Sequence, residues 1–186
     1  MTQAASRFRR YLSGSRLLPI AFVVWRTLAK GGWRPSLARR NKRARKSAQL
    51  PVPPNRLIFS ATGTHDVEWF LSSGEQTAAS LRGTLQDISR PIETFRSVLD
   101  LGCGCGRVLR QWNGIAGPQF SGTDYTAAGV KWIGPNLPGL KLQTNRLEPP
   151  LPFETASFDL IYAISVFTHL PENLQRPWLE ELHRVL

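Results

Sequence analysis

The stretch from Ser97 to Leu109, SVLDLGCGCGRVL, constrains this chain more than any other. An apolar run ends in an acid, Asp100. Glycines follow at 102, 104 and 106, and apolar residues then return at helical spacing. The order reads as a buried strand, a tight turn and a helix N-terminus. Glycines there let the backbone turn sharply and admit a ligand where a Cβ would block it. Free N–H groups at a helix start favour a carboxylate or phosphate. The spacing also excludes two familiar ligands. A G-x-G-x-x-G nicotinamide fingerprint counted from Gly102 would need glycine at Arg107, and counted from Gly104 would need it at Leu109. No Lys-Ser/Thr pair closes the turn, as a phosphate loop requires.

Charge is informative once it is located. The chain has 186 residues and a net charge of +11, yet residues 1–50 carry 13 basic side chains and no acid. The other 136 residues have a net charge of −2, so the basicity belongs to an N-terminal arm. Within it, Leu17–Trp25 is an apolar run of nine residues bracketed by Arg16 and Arg26, too short to span a bilayer. Four readings stay open for the first 30 residues: a signal core that lacks a convincing cleavage site, a transit peptide, a loosely docked extension, or an arm on an anionic membrane surface. In the last, Phe22 and Trp25 would dip into the lipid. The run Ala38–Lys46 reads as a solvated linker rather than a reader of bases. Pro51-Val52-Pro53-Pro54 then forms a stiff boundary. The expected organisation is a basic arm over 1–50, a linker with lid-like helices over 51–96, and an α/β domain over 97–186.

Cys103 and Cys105 are too close to bridge one another and too few to hold a metal, so they read as small residues of a crowded turn. No metal is expected. A cytoplasmic location, with peripheral contact at a membrane through the arm, is the expectation.

Between Thr64 and Ile88 the apolar spacing predicts two helices. The first presents Val67, Phe70 and Leu71. The second is capped by Ser73 and presents Ala78, Leu81, Leu85 and Ile88. This region could also supply a lid, with Trp69 and Phe70 as contacts. After the glycine turn, Val108, Leu109 and Trp112 predict a helix. Gln119–Asp124 predicts a second strand ending in an acid, and Thr126 the cap of the next helix, ending near Gly134-Pro135. A short third strand is expected around Leu140 and Leu142, and a buried fourth over Phe158–Ile164. Pro177 is placed in the first turn of the last helix, whose inner stripe would be Trp178, Leu179, Leu182, Val185 and Leu186. The alternation of strands and helices reads as a parallel α/β sheet.

The acid-x-Gly-x-Gly-x-Gly pattern resembles motif I of the class I methyltransferases that use S-adenosylmethionine. The likeness extends through Asp124, through Leu151-Pro152-Phe153 and Ser157-Phe158-Asp159, and through Ser165–Leu170 to Glu181–Leu186, covering residues 97–186. It implies a Rossmann-like sheet with flanking helices, of which about four of seven strands can be placed here, behind a basic N-terminal extension. It also implies site roles. Gly102, Gly104 and Gly106 would form the turn beneath the methionine part of the cofactor, and Asp100 would hold its ammonium. Asp124 would accept two hydrogen bonds from the ribose. Asn145 would receive the adenine amino group, or else be an ordinary turn residue. Ser165 would approach the methionine side. His169 reads either as a general base for an acceptor hydroxyl or as a helix-start residue bonded to backbone.

The implied activity is methyl transfer to a small-molecule or glycan acceptor, at oxygen. A nucleic-acid methyltransferase using the basic arm is the alternative, disfavoured because no Asn/Asp-Pro-Pro-aromatic motif follows the fourth strand. An inactive cofactor-binding fragment or scaffold is the third reading. The resemblance also predicts a further strand beyond Leu186, hence the expectation of a truncated chain.

Overall fold

The computed structural model describes residues 35–186. The readings made on the earlier residues, including the Leu17–Trp25 run, lie outside the described residues. Four parallel strands form one sheet in the order β3-β2-β1-β4: β1 is Ser97–Leu101, β2 Gln119–Asp124, β3 Lys141–Thr144 and β4 Leu160–Ala163. Three helices precede the sheet, α1 (Pro35–Ser47), α2 (Asn55–Thr62) and α3 (Val67–Asp87). A fourth, α4 (Ala127–Asn136), joins β2 to β3, and α5 (Glu172–Val185) follows β4.

The strand order explains where a ligand can sit. From β1 the chain steps outward to β2 and β3, then returns to place β4 on the other side of β1. Connections leaving β1 and β4 therefore diverge and open a crevice at their carboxyl ends, the usual binding place in such sheets. Along β1 the side chains alternate between faces. Val98 packs in a cluster with Leu85, Trp112, Phe120 and Tyr162, whereas Leu99 and Leu101 pack with Phe158, Trp178 and Val185. Asp100 shares the parity of Val98, which sets an acid on an otherwise apolar face.

Several sequence expectations change. Val67–Asp87 is one helix, not two; its N-cap is Asp66, whose carboxylate accepts from the Trp69 N–H at 3.2 Å. Ser73 lies inside it, its hydroxyl turned back to the Phe70 carbonyl. Phe70 is fully buried rather than presented by a lid, and Ile88 is exposed. After the glycines the expected helix shrinks to a single 3-10 turn, Leu109–Trp112. The last helix begins at Glu172, so Pro177 falls beyond its first turn. Leu179 and Leu186 are exposed, and Glu181 takes a place on the buried stripe.

The expected solvated linker is helical as far as Ser47 and anchored from Asn41 onward. The chain divides into two units, residues 1–39 and 40–186, and the anchors belong to the second. Buried Asn41 donates to the His65 carbonyl at 2.7 Å and accepts from the Val67 N–H at 2.9 Å. Arg45 donates to the Val52 and Pro53 carbonyls and to the Asn55 side chain. Among the described residues no helix is long and apolar enough to cross a membrane.

Candidate cofactor site

The alternate glycines are there because the backbone turns left-handed three times. Gly102, Gly104 and Gly106 have φ of 76°, 58° and 84°, values that an L side chain adopts only with strain. The first also approaches the segment after β4 closely: a Cβ at Gly102 would overlap the Val166 side chain. The loop is hung from β2. Both Gly102 N–H and Cys103 N–H donate to the Thr123 carbonyl, at 2.8 and 3.0 Å. Gly104 N–H donates to Asp124 Oδ2 at 2.9 Å, while Thr126 N–H donates to Asp124 Oδ1 at 2.7 Å. Asp124 thus ties the glycine loop to the start of α4.

Beside Asp124, the Asn145 N–H donates to the Asp124 carbonyl at 3.2 Å. The Asn145 amide oxygen accepts the buried Thr123 hydroxyl at 2.8 Å, and its NH2 donates to the Arg146 carbonyl. A surface cleft brings Gly102, Asp124 and Asn145 together; Tyr125, Arg146, Leu147, Val166, Leu170 and Trp178 complete most of its wall.

The remaining residues expected at the site lie outside the wall of this cleft. Gly104 lies in the loop, half-buried against Ala61 of α2. Gly106 faces Ile133 and Leu137 and serves close packing with the α4 region. Asp100 is 3% exposed and lies outside the cleft wall, on the apolar face of β1. A hydrogen-bonded chain reaches it there: Trp112 Nε1–H donates to the Tyr162 hydroxyl at 2.7 Å, and that hydroxyl donates to Asp100. Burial pushes the Asp100 carboxyl up to about 7, against the opposing pull of Tyr162 and nearby Arg107. Ser165, exposed and with φ of 60°, stands just beyond β4 next to Val166, and its carbonyl accepts the Thr168 hydroxyl. His169 has an exposed side chain, and its N–H donates to the Val166 carbonyl at 3.0 Å in a 3-10 turn.

Burial drives the Cys103 thiol well up and the Cys105 thiol up to about 12, so both stay neutral and act in packing. Arg107 is pinned by α3, donating to the Ser73 carbonyl and the Thr77 hydroxyl at 3.1 Å each.

Sequence reasoning missed most of the cleft wall. Tyr125 carried a usable signal, an aromatic directly after a strand-end acid. Trp178 carried none, because its role depends on a contact 31 residues away. Its indole N–H donates to the Leu147 carbonyl at 3.0 Å and holds the 145–151 segment against α5. In the same interface Glu181 accepts the Leu151 N–H at 2.7 Å, and Arg184 donates to the Phe153 carbonyl at 2.9 Å.

Comparison with known proteins finds methyltransferases. Residues 98–186 match the model of the methyltransferase-domain family. Among solved structures, a protein from Methanococcus maripaludis assigned as an S-adenosyl-L-methionine-dependent methyltransferase aligns over 71% of this chain and 56% of its own. Its identity is 11% and its TM-score 0.50, a likeness of fold. A TehB-like SAM-dependent methyltransferase from Corynebacterium glutamicum aligns over 62% of this chain and 67% of its own, with 26% identity and TM-score 0.47. PKMT2 from Rickettsia typhi, solved in complex with AdoHcy, aligns over 52% of this chain and 19% of its own, with 22% identity and TM-score 0.43. The chain thus spans from about a fifth to two thirds of the length of these proteins.

Proposed function

Residues 98–186 are a methyltransferase domain of the class I, S-adenosylmethionine-dependent family, and from that premise we propose that the chain transfers a methyl group from S-adenosylmethionine to an oxygen of a small-molecule or glycan acceptor. The observation that carries the cofactor assignment is the double use of Asp124. Each of its oxygens accepts one backbone N–H, from Gly104 and Thr126, while the residue also lines the cleft. A carboxylate oxygen has further acceptor capacity, so Asp124 can close the loop and still accept ribose hydroxyls.

The other residues fit the same ligand. Asn145 offers the second lone pair of its amide oxygen to an adenine amino group. In this reading Asp100, buried outside the cleft wall, partners the ligand ammonium across the loop, directly or through water, and a cation nearby would draw it to its ionised form. Gly102, Gly104 and Ser165 take the methionine portion in the same reading. When bound, S-adenosylmethionine supplies an electrophilic methyl group on a sulfonium sulfur. Transfer to an acceptor oxygen is an in-line displacement in which holding the two reactants together does most of the work. No side-chain base is required, and His169 is available should the hydroxyl proton need an acceptor.

The segment after β4 speaks against a nucleobase amino group as the acceptor. It reads Ser165-Val166-Phe167-Thr168, without the Asn/Asp-Pro-Pro-aromatic sequence of base-amino methyltransferases. The test is label transfer from methyl-tritiated S-adenosylmethionine to a panel of hydroxylated small molecules and glycans, with RNA and DNA in parallel. Label in the hydroxylated panel is expected. Label confined to nucleic acid would overturn the acceptor assignment and leave the cofactor site standing.

A further inference from the structure

We propose that Lys42, Arg43 and Lys46 on α1 form a docking face for an anionic lipid surface. The helix carries no acid and no aromatic residue along its length. Its rotational setting is fixed by the anchors on its inner side. Asn41 makes its two backbone hydrogen bonds, Arg45 caps the carbonyls of Val52 and Pro53, and Ala44 packs against the cluster of Leu57, Ile58 and Phe70. Arg40, at the flank, pairs with Asp66 and Glu68. At 100° per residue, positions 42, 43 and 46 fall together on the face opposite these contacts. All three side chains are exposed, and none has an acidic partner among the described residues. The anchors therefore turn a run of basic sequence into a rigid strip of cations directed away from the fold.

Charge complementarity calls for an anionic surface, and two observations favour lipid over nucleic acid. Binding to single strands combines cations with aromatic side chains on which bases stack, and α1 has none. The same chain carries, at 17–25, an apolar run containing Phe22 and Trp25 between two arginines. A polybasic face together with an apolar insertion supplies the two signals that membrane attachment needs. Because screening confines the attraction to about 10 Å, only outward-facing cations contribute fully.

The test is flotation of the full chain with vesicles of phosphatidylcholine alone and with added phosphatidylserine. A cation near an anionic leaflet strengthens binding roughly fivefold, so Lys42→Gln/Arg43→Gln/Lys46→Gln is expected to weaken binding to the mixed vesicles by on the order of 100-fold. A control with equal charge loss, Arg96→Gln/Lys131→Gln/Lys141→Gln, is expected to stay within about twofold of the unmodified chain. Should the triple variant fail to fold, the three single variants decide, each expected to lose about fivefold. Equal losses in the control, flotation independent of phosphatidylserine, or a preference for RNA or duplex DNA over vesicles in competition would each overturn the proposal.

Discussion

Two aspartates near the carboxyl ends of neighbouring parallel strands have been given opposite surroundings. Asp124, at the end of β2, accepts two backbone N–H groups and borders the cleft. Asp100, one position before the end of β1, lies on an apolar face and is reached by a single phenol that is itself held by Trp112. The first carboxylate is solvated by protein dipoles whether or not a ligand is present. The second has lost water without full replacement, which is why its proton is held to about 7. Residue type and nearness to a strand's carboxyl end are shared, so the contrast comes from what the tertiary structure aims at each carboxylate. One acid serves as scaffold and acceptor together. The other lies buried, with the Tyr162 hydroxyl and the nearby Arg107 as its polar company.

The contrast can be broken from either side. The largest effect is expected at Asp124. Replacing it with Ala strands the Gly104 and Thr126 N–H groups and removes two charge-assisted hydrogen bonds, lowering stability by about 4 kcal/mol in urea unfolding. At Asp100 the effect is expected with the opposite sign. Below about pH 4 the group is protonated in both states. As pH rises from about 4 to 7 only the unfolded chain ionises, so the group's contribution to stability is lost across that window. Asp100→Asn cannot ionise, and should exceed the unmodified chain at pH 8 by roughly 3–4 kcal/mol while matching it near pH 4. Unfolding curves at the two pH values check this.

A smaller change is expected from Tyr162→Phe, which removes the hydroxyl between Trp112 and Asp100. Stability should fall by about 2 kcal/mol, and the Asp100 window should move to higher pH, because the hydroxyl favours the ionised acid. The smallest belongs to the far wall of the cleft. Trp178→Phe retains an aromatic ring but leaves the Leu147 carbonyl without its donor, at about 1 kcal/mol of stability. A larger loss there would show that the 145–151 segment depends on α5 more than one hydrogen bond implies.

The site was legible in sequence where its chemistry is local. Three alternating glycines answer to three left-handed turns, and Asp124 sits where β2 ends. β1 and β4 were readable for the same reason, as short bounded apolar runs, and β2 by its terminal acid. What failed depended on distant partners. Ser73 looks like a helix start, but the helix runs through it, and Gly74 and Thr77 on that helix meet the distant Arg107. A basic run read as linker became a helix through Asn41 and Arg45, whose partners lie 7 to 26 residues away. Pro177 suggested a first turn, yet Pro171 already supplies the N-cap position of α5. The different surroundings of Asp100 and Asp124 were not legible, because the phenol that distinguishes them comes from β4.

The central claim is that the cleft bounded by Gly102, Asp124 and Asn145 holds S-adenosylmethionine. Calorimetric titration of the cofactor into the unmodified chain and into Asp124→Asn tests it most directly, since the substitution keeps the shape and removes one acceptor oxygen. One-to-one binding, weakened at least about tenfold in the variant, is the predicted result. No binding heat at any accessible concentration, or equal affinity in the two proteins, would contradict it.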